Sequence, residues 1–573
     1  MRTVALLSLL ALAQAVASQA QLPLSTGKRK PLTGRFLHLT DFHPDPHYIA
    51  GGTFDSGCHS KAKGKGKGKG KGNDDVAGKW GSPVSDCDSP MSLVDLTFEW
   101  LKKEWAEEVD FVVWTGDNAR HDIDRSTPRT PKEIFELNRM MVDKMVDTFG
   151  KEVVIVPSIG NNDIYPHNVL APGPNHITSE FLQIWKHYIP TDERHVFERG
   201  AYFSAEVVPD RLAVISLNTL YWYDSNTLVD GCGDRSNDPG ALEMDWLEVQ
   251  LQEFRDRGMQ VWLSGHVPPH MGHYYDNCYL RYGDLSLRFQ DTIVGHLYGH
   301  MNIDHFFFID VQELESTLSV APFTNTSSTE SFESSFAGPE LRHGPHLPSS
   351  SRYRIKGRSG SVSLQEELKK DFKEMPSAGK LKMKDYIAVN VAPSIIPTYL
   401  PGVRVFSYNI SGVSRDPDDD DVEIGVRKKK GRHGGHRHHL PKDDCSRPEN
   451  EDKPHCTFKH KPRYYSKHSP SRSNQPLTPL GYTQFYLPDL DAKHPQWAIE
   501  YSTFKPDDLF NLTTQPPPVP SHFLHEKEDK KLKTLMKKIT PYRMKDLTVG
   551  SYVRLARKLA EKKEMWDKFS ELM

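Results

Sequence analysis

Two hydrophobic patterns alternate along the chain. Short, nearly continuous apolar runs recur at Phe36–Thr40, Asp110–Trp114, Val153–Pro157, Leu212–Leu217, Val261–Ser264, Thr292–Tyr298 and Phe306–Asp310. Apolar runs of this length, without period-two alternation, are expected of strands buried on both faces. Between them, apolar residues fall at helical spacing over Met91–Glu108, Thr130–Phe149 and Ala241–Arg257, with Pro131 in the first turn of the second. Strand and helix in this order predict an α/β core. A polar cluster follows nearly every strand, which is where ligands bind in α/β folds.

Elsewhere the pattern lapses. Lys63–Gly72 alternates Lys and Gly and is read as a solvated loop within 60–80. Residues 313–378 turn to Ser, Thr, Pro and Gly and are read as a disordered insertion. Residues 413–476 carry an acidic run (Asp418–Asp421), then a basic, His-rich run (Arg427–His439), and are read as a linker. The division that follows is a catalytic core at 33–312, core strands returning at 379–412, a further core part at 477–510, and a Lys-rich helical region at 511–573.

Composition narrows the class. The chain has 573 residues, with 73 Lys+Arg against 76 Asp+Glu. So balanced a charge argues against a nucleic-acid binder. No period suggests collagen or coiled coil, and no long apolar run suggests several membrane spans. Met1–Ala20, with Arg2, an apolar Val4–Ala13 and the small-residue site Ala15–Ala17, reads as a signal peptide or signal anchor. Contact with a membrane is therefore expected only through that segment, if it is retained. Sequons at Asn325, Asn409 and Asn511 predict glycosylation in the secretory pathway. Six cysteines allow three disulfides. Neighbours along the sequence suggest Cys58–Cys87, Cys232–Cys278 and Cys445–Cys456.

Five clusters carry chemistry: Asp41-Phe42-His43, Gly116-Asp117 with His121-Asp122, Gly160-Asn161-Asn162-Asp163, Gly265-His266 and Gly299-His300. Each alone is an ordinary polar turn. Together, each directly after a strand, they supply the mixed oxygen and nitrogen donors that two divalent cations require. A shared carboxylate can bridge such a pair, which then clamps both oxygens of a phosphoryl displacement.

These blocks resemble the calcineurin-like metallophosphoesterases, and Gly116–Asp122 and Gly265-His266-Val267-Pro268-Pro269 resemble their acid sphingomyelinase-like branch. Thr40–Asp45, Trp114–Asp122, Gly160–Asp163 and Gly299–Phe306 are similar to the fungal vacuolar endopolyphosphatases. The resemblance implies a β-sandwich flanked by helices, with long disordered insertions. It implies two cations (Mn, Mg, Co, Zn or Fe), inorganic polyphosphate as substrate, maturation by proteases, and a vacuolar lumenal or single-pass type II membrane protein. Carried over by position, Asp41 and His43 hold the first metal, Asp117 bridges, and Asn161, His266 and His300 hold the second.

Asn302 stands where the wider family has a further histidine ligand, so an amide oxygen or water takes that place. Asn162 stands where the family has a proton-donating histidine. His121 is then the better donor to the leaving oxygen, with Asp122 to orient it. Arg120 is the leading candidate to contact phosphate, and His167, His270 and His273 lie close enough in sequence to join it. Two rivals remain: a phosphodiesterase acting on lipid or nucleotide substrates, and a non-catalytic lumenal polyphosphate-binding protein.

Overall fold

A computed structural model describes residues 30–61, 76–233, 237–320, 362–415, 463–509, 518–519 and 530–573. The Met1–Ala20 leader, the Lys63–Gly72 tract, Asn325, Asn511, the Arg427–His439 run, Cys445 and Cys456 lie outside the described residues.

In chain order the strands are β1 (Arg35–Leu39), β2 (Pro44–Asp45), β3 (Ser89–Pro90), β4 (Phe111–Trp114), β5 (Val154–Pro157), β6 (Phe203–Val208) and β7 (Leu212–Ser216). They continue with β8 (Gln260–Ser264), β9 (Ile293–Tyr298), β10 (His305–Asp310), β11 (Tyr386–Val391), β12 (Gly402–Tyr408), β13 (Pro479–Tyr486) and β14 (Ala498–Ser502). One six-stranded sheet has the order β14-β13-β12-β1-β4-β5, and the other β10-β11-β9-β8-β7-β6. β1, β4 and β5 run parallel, as do β7, β8, β9 and β11. These strands are buried along nearly their whole length, which explains why their sequences do not alternate.

The sheets pack face to face as a sandwich. Phe36 of β1 stacks on Phe111 and Phe406 within its own sheet, at 4.6 and 4.9 Å between ring centres. Its ring also meets Trp262, from the opposite sheet, edge-on at 5.2 Å. Offset and edge contacts of this kind are favoured by the ring quadrupoles.

Helices flank the sandwich: α1 (Met91–Glu104), α2 (Pro131–Phe149), α3 (His176–Ile184), α4 (Arg194–Gly200), α5 (Pro239–Asp256) and α6 (Asp276–Arg288). They are followed by α7 (Val311–Val320), α8 (Val362–Glu374), α9 (Lys530–Ile539), α10 (Val549–Glu561) and α11 (Lys563–Leu572). Thr130 caps α2 by accepting the Glu133 backbone N–H at 3.2 Å, which starts the helix where Pro131 already favours it. Among the described residues no helix is long and apolar enough to cross a membrane.

Three expectations change. The span 313–378 is not wholly irregular: α7 runs into it, and α8 buries Leu364, Leu368 and Phe372. Those three apolar residues recur every fourth position, a helical stripe within a polar stretch. The span 413–476 is ordered from residue 463, where Arg472 donates to the carbonyls of Met383 and Tyr386. Asn409 is buried, and its amide donates to Asn474 Oδ1 at 2.7 Å, so the nitrogen a glycan would occupy is turned inward. The pairs Cys58–Cys87 and Cys232–Cys278 are both bonded.

The late strands reach back to the site end of the sandwich. Arg404 of β12 is fully buried and pairs with Asp304, which also accepts from the Tyr501 hydroxyl. Arg404 further donates to Gln484 Oε1 at 2.9 Å. A buried charge needs such partners on every side. Here they tie β12, β13 and β14 to the loop that follows His300.

Candidate metal centre

The expected ligands converge because they sit on loops leaving one end of both sheets. Asp41 and His43 follow β1, Asp117 follows β4, Asn161 follows β5, His266 follows β8 and His300 follows β9. Backbone bonds knit the loops: Asp41 N–H donates to Gly116 O at 3.0 Å, His43 N–H to Asp117 O at 3.1 Å, and Gly299 N–H to His266 O at 3.0 Å. Asp41, His43, Asp117, His300 and Asn302 all have left-handed backbones, with φ of 52, 41, 57, 69 and 58°. That conformation is costly for non-glycine residues, which keep it chiefly at functional sites.

Ring nitrogens and side-chain oxygens converge here. His43 Nδ1 faces the Ala119 carbonyl at 3.0 Å, which assigns a proton to Nδ1 and leaves Nε2 to face the cluster. That Nε2, Asp41 Oδ1 and Asn302 Oδ1 are buried with no hydrogen-bond partner. Nε2 lies 3.6 Å from Asp41 Oδ1 and 3.4 Å from Asp117 Oδ2.

On the other side, His266 Nδ1 donates to the Thr115 carbonyl at 2.7 Å, so Nε2 is the nitrogen left to face the cluster. It lies 2.8 Å from Asn161 Oδ1 and 3.2 Å from both Asp117 Oδ2 and His300 Nδ1. The Asn161 amide is oriented by its nitrogen, which donates to Asn168 Oδ1 and His167 Nε2, each at 2.9 Å. Clustered acceptors of this kind repel unless a cation or a proton lies between them. Two groups, Asp41 with His43 and Asp117, and Asp117 with His266 and His300, share the Asp117 carboxylate. The mixed donor set fits two divalent cations bridged by Asp117.

Asp117 is itself held. Asn162 donates to it twice, from its backbone N–H to Oδ1 and from its amide to Oδ2, each at 2.8 Å. Asp163 Oδ2 accepts the Asp117 and Gly160 backbone N–H groups, and its Oδ1 accepts that of Asn118. Asn162 thus orients a ligand and is not a proton donor.

The electrostatics follow. Burial disfavours the charged imidazole of His43, but Asp117 and Asp41 more than offset it and hold the group up at about 9. His266 is likewise opposed by burial and held up by Asp117 to about 9. Burial raises Asp117, yet these two imidazoles pull it well below the usual carboxylate range. His300 is lowered to about 4, by burial first and then by His266. Below pH 9 a cation must therefore displace protons from His43 and His266. Apparent cation affinity is predicted to rise about tenfold per pH unit for each proton displaced, levelling off near pH 9. Calorimetric Mn²⁺ titrations at several pH values, in buffers of different ionisation enthalpy, measure both the slope and the protons released; an affinity flat with pH would contradict the assignment.

Other expected residues fall differently. His121 is 32% exposed and stacks on His43 at 4.1 Å between ring centres. Its partner is Asp88, not Asp122: Asp122 Oδ1 instead accepts the Arg129 backbone N–H at 3.0 Å. Arg120 is fully buried, its guanidinium forked onto Glu133 at 2.7 and 3.0 Å and donating to the carbonyls of His121 and Thr127. Those bonds occupy it in shaping the loop, so it offers no open phosphate contact. His167 is exposed and accepts from Asn161. His273 is enclosed, its ring 5.8 Å from that of His300, and His270 turns toward Glu367 at 3.5 Å.

Sequence reasoning missed Asp88 and Arg129. Arg129 is buried and donates to the carbonyls of Arg120, Asn162 and Ile164, joining two metal loops. A buried arginine shortly after a metal loop carries no pattern of its own, and neither does an aspartate far in sequence from the histidine it meets.

No protein-family model matches the chain. Among curated proteins it is 56% identical to an endopolyphosphatase of Cryptococcus neoformans var. neoformans serotype D, over 100% of this chain and 99% of that protein. It is 32% identical to the endopolyphosphatase of Saccharomyces cerevisiae, over 95% of this chain and 86% of that one. Among solved structures, a dimetal phosphatase from Danio rerio matches 48% of this chain and 84% of that chain at 13% identity, with a TM-score of 0.25, too distant to carry an argument. With full-length relatives of one kind, the chain belongs to the endopolyphosphatase family.

Proposed function

We propose that this chain is a metal-dependent endopolyphosphatase, a hydrolase that cuts internal phosphoanhydride bonds of long inorganic polyphosphate into shorter chains. The observation that carries the reading is the convergence of Asp41, His43, His266 and His300 on the Asp117 carboxylate, in a chain whose full-length relatives are endopolyphosphatases. Two divalent cations held there would supply an activated water nucleophile and neutralise charge on the phosphoryl oxygens.

The chain's own residues do the rest. Asp41 and His43 would hold the first cation, and Asn161, His266 and His300 the second, with the buried, unpartnered Asn302 amide oxygen as the further donor carried over by position. An amide oxygen in place of an imidazole favours a harder ion, such as Mn²⁺ or Mg²⁺, on the first side. Asn162 and Asp163 fix the bridging carboxylate and its loop. His121, beside His43 and partly exposed, holds the proton that passes to the leaving phosphate oxygen.

The vacuolar lumen is the compartment we assign. The leader and two disulfides support an oxidising secretory route. Asn325 and Asn511 are the sequons we assign as glycosylated, and maturation proteases are expected partners.

The test is a gel assay of long-chain polyphosphate with Mn²⁺, Mg²⁺, Co²⁺, Zn²⁺ or Fe²⁺. Mid-length fragments appearing before orthophosphate are expected. Orthophosphate alone from the outset would show trimming of chain ends, and no cleavage with any ion would remove the reading.

A further inference from the structure

We infer that Asp88 is the residue that positions His121 as proton donor, and that the Cys58–Cys87 disulfide holds Asp88 there; this rests on the proposed hydrolysis. Asp88 is buried, and both of its oxygens bond to one residue. Oδ1 lies 2.6 Å from His121 Nδ1, and Oδ2 accepts the His121 backbone N–H at 2.7 Å. A carboxylate facing Nδ1 assigns the N–H to that nitrogen, leaving Nε2 as the only one free for the substrate. The carboxylate fixes the ring within its plane. The His43 ring, stacked at 4.1 Å and inclined by 15°, fixes it from the face.

Asp88 owes its place to its neighbours. Cys87 before it is bonded to Cys58, and Ser89 after it donates its backbone N–H to the His43 carbonyl at 3.0 Å. The pairing of β2 with β3 continues that contact, so the segment is bound to the metal loop itself. The other arm of the crosslink does related work. His59, next to Cys58, is bracketed by Asp45 at 2.8 Å and by Asp124 at 2.9 Å, and Asp124 belongs to the loop His121 begins. One disulfide thus pins that loop at both ends.

During the reaction a water oxygen bonds to phosphorus and gives up a proton to solvent, while the phosphorus–oxygen bond to the departing chain breaks and its electron pair stays on the leaving oxygen. His121 enters the step with a proton on each ring nitrogen. That oxygen takes the Nε2 proton, while Nδ1–H stays with Asp88. Solvent then returns a proton to Nε2. Asp88 lies with His43 and His121 close enough to hold an ion, but both of its oxygens are taken by His121, so its part here is to act through that imidazole.

The experiment uses the full chain loaded with Mn²⁺. Asp88→Asn is expected to lower kcat about 10- to 100-fold, with KM and the two-ion stoichiometry unchanged. In a His121→Ala background it is expected to cause no further loss, because the group it acts through is gone. Cys58→Ser with Cys87→Ser should lower kcat in the same direction, again with no added loss beside His121→Ala. This pair keeps the test alive if Asp88→Asn does not fold. Losses that multiply in the His121→Ala background, loss of a bound ion, or an unchanged kcat would each overturn the inference. If the wild-type chain cuts no polyphosphate, the function falls; if it cuts and Asp88→Asn cuts equally well, only this inference does.

Discussion

Asp117→Asn is expected to reduce polyphosphate cleavage at least about a thousandfold and to leave fewer than two ions bound per chain. The geometry makes this the most damaging conservative change. Oδ2 of Asp117 faces His43 Nε2 at 3.4 Å and His266 Nε2 at 3.2 Å, so one oxygen serves both halves of the centre. An amide keeps the size but removes the charge that offsets burial of two cations. It also cannot satisfy its surroundings. Both carboxylate oxygens accept from Asn162, at 2.8 Å each, and an amide nitrogen in either place would set one donor against another. Metal analysis of the purified variant, beside its rate, separates this from a defect in substrate binding: a variant retaining two ions and wild-type rate would remove Asp117 from the bridging place.

Gly160→Ala is expected to approach that effect without touching a ligand. A Cβ at residue 160 would lie 2.1 Å from Asp117 Oδ1 and 2.4 Å from Asp117 N, far inside contact distance. The carboxylate cannot step aside. Asp163 Oδ2 holds Asp117 N at 2.9 Å, and the Asn162 backbone N–H holds Oδ1. The strain therefore falls on the bridging ligand, and a loss of about a hundredfold in rate is expected, with metal affinity falling in parallel. Gly379→Ala is the control, because a Cβ there meets nothing within 4 Å. Rates and metal content for the two variants, beside their melting temperatures, decide the matter. Equal rates would mean that the loop yields and that the close approach is incidental.

Much of the centre was legible from the chain alone because its ligands sit on loops directly after apolar runs. A strand buried on both faces has to be apolar, so the first polar residues past its end stand out. Asp41, Asp117, Asn161, His266 and His300 were found in this way, and the structure brings all of them together. Spacing was less informative about partners. Asp122 is adjacent to His121 in sequence, yet the imidazole bonds to Asp88, 33 residues earlier. Adjacent side chains on an extended loop diverge, so sequence proximity pointed to the wrong carboxylate. Arg120 misled for a related reason. A cation within a metal loop suggests phosphate, but Glu133, on the first turn of α2, is close enough to bury it.

The sequence by itself determined the α/β order and the five polar clusters that follow strands, because burial periodicity and donor chemistry are local properties of the chain; the role of Asp117 as the shared carboxylate came from the resemblance. Only the tertiary structure decided what orients those donors: Asn162 on Asp117, Asp88 on His121, and Arg404 of a late strand on Asp304 of the His300 loop. Such contacts join residues as many as 100 positions apart, and their geometry depends on how two sheets and their loops pack. No periodicity encodes that packing. It follows from close-packed side chains and from the requirement that every buried charge find a partner.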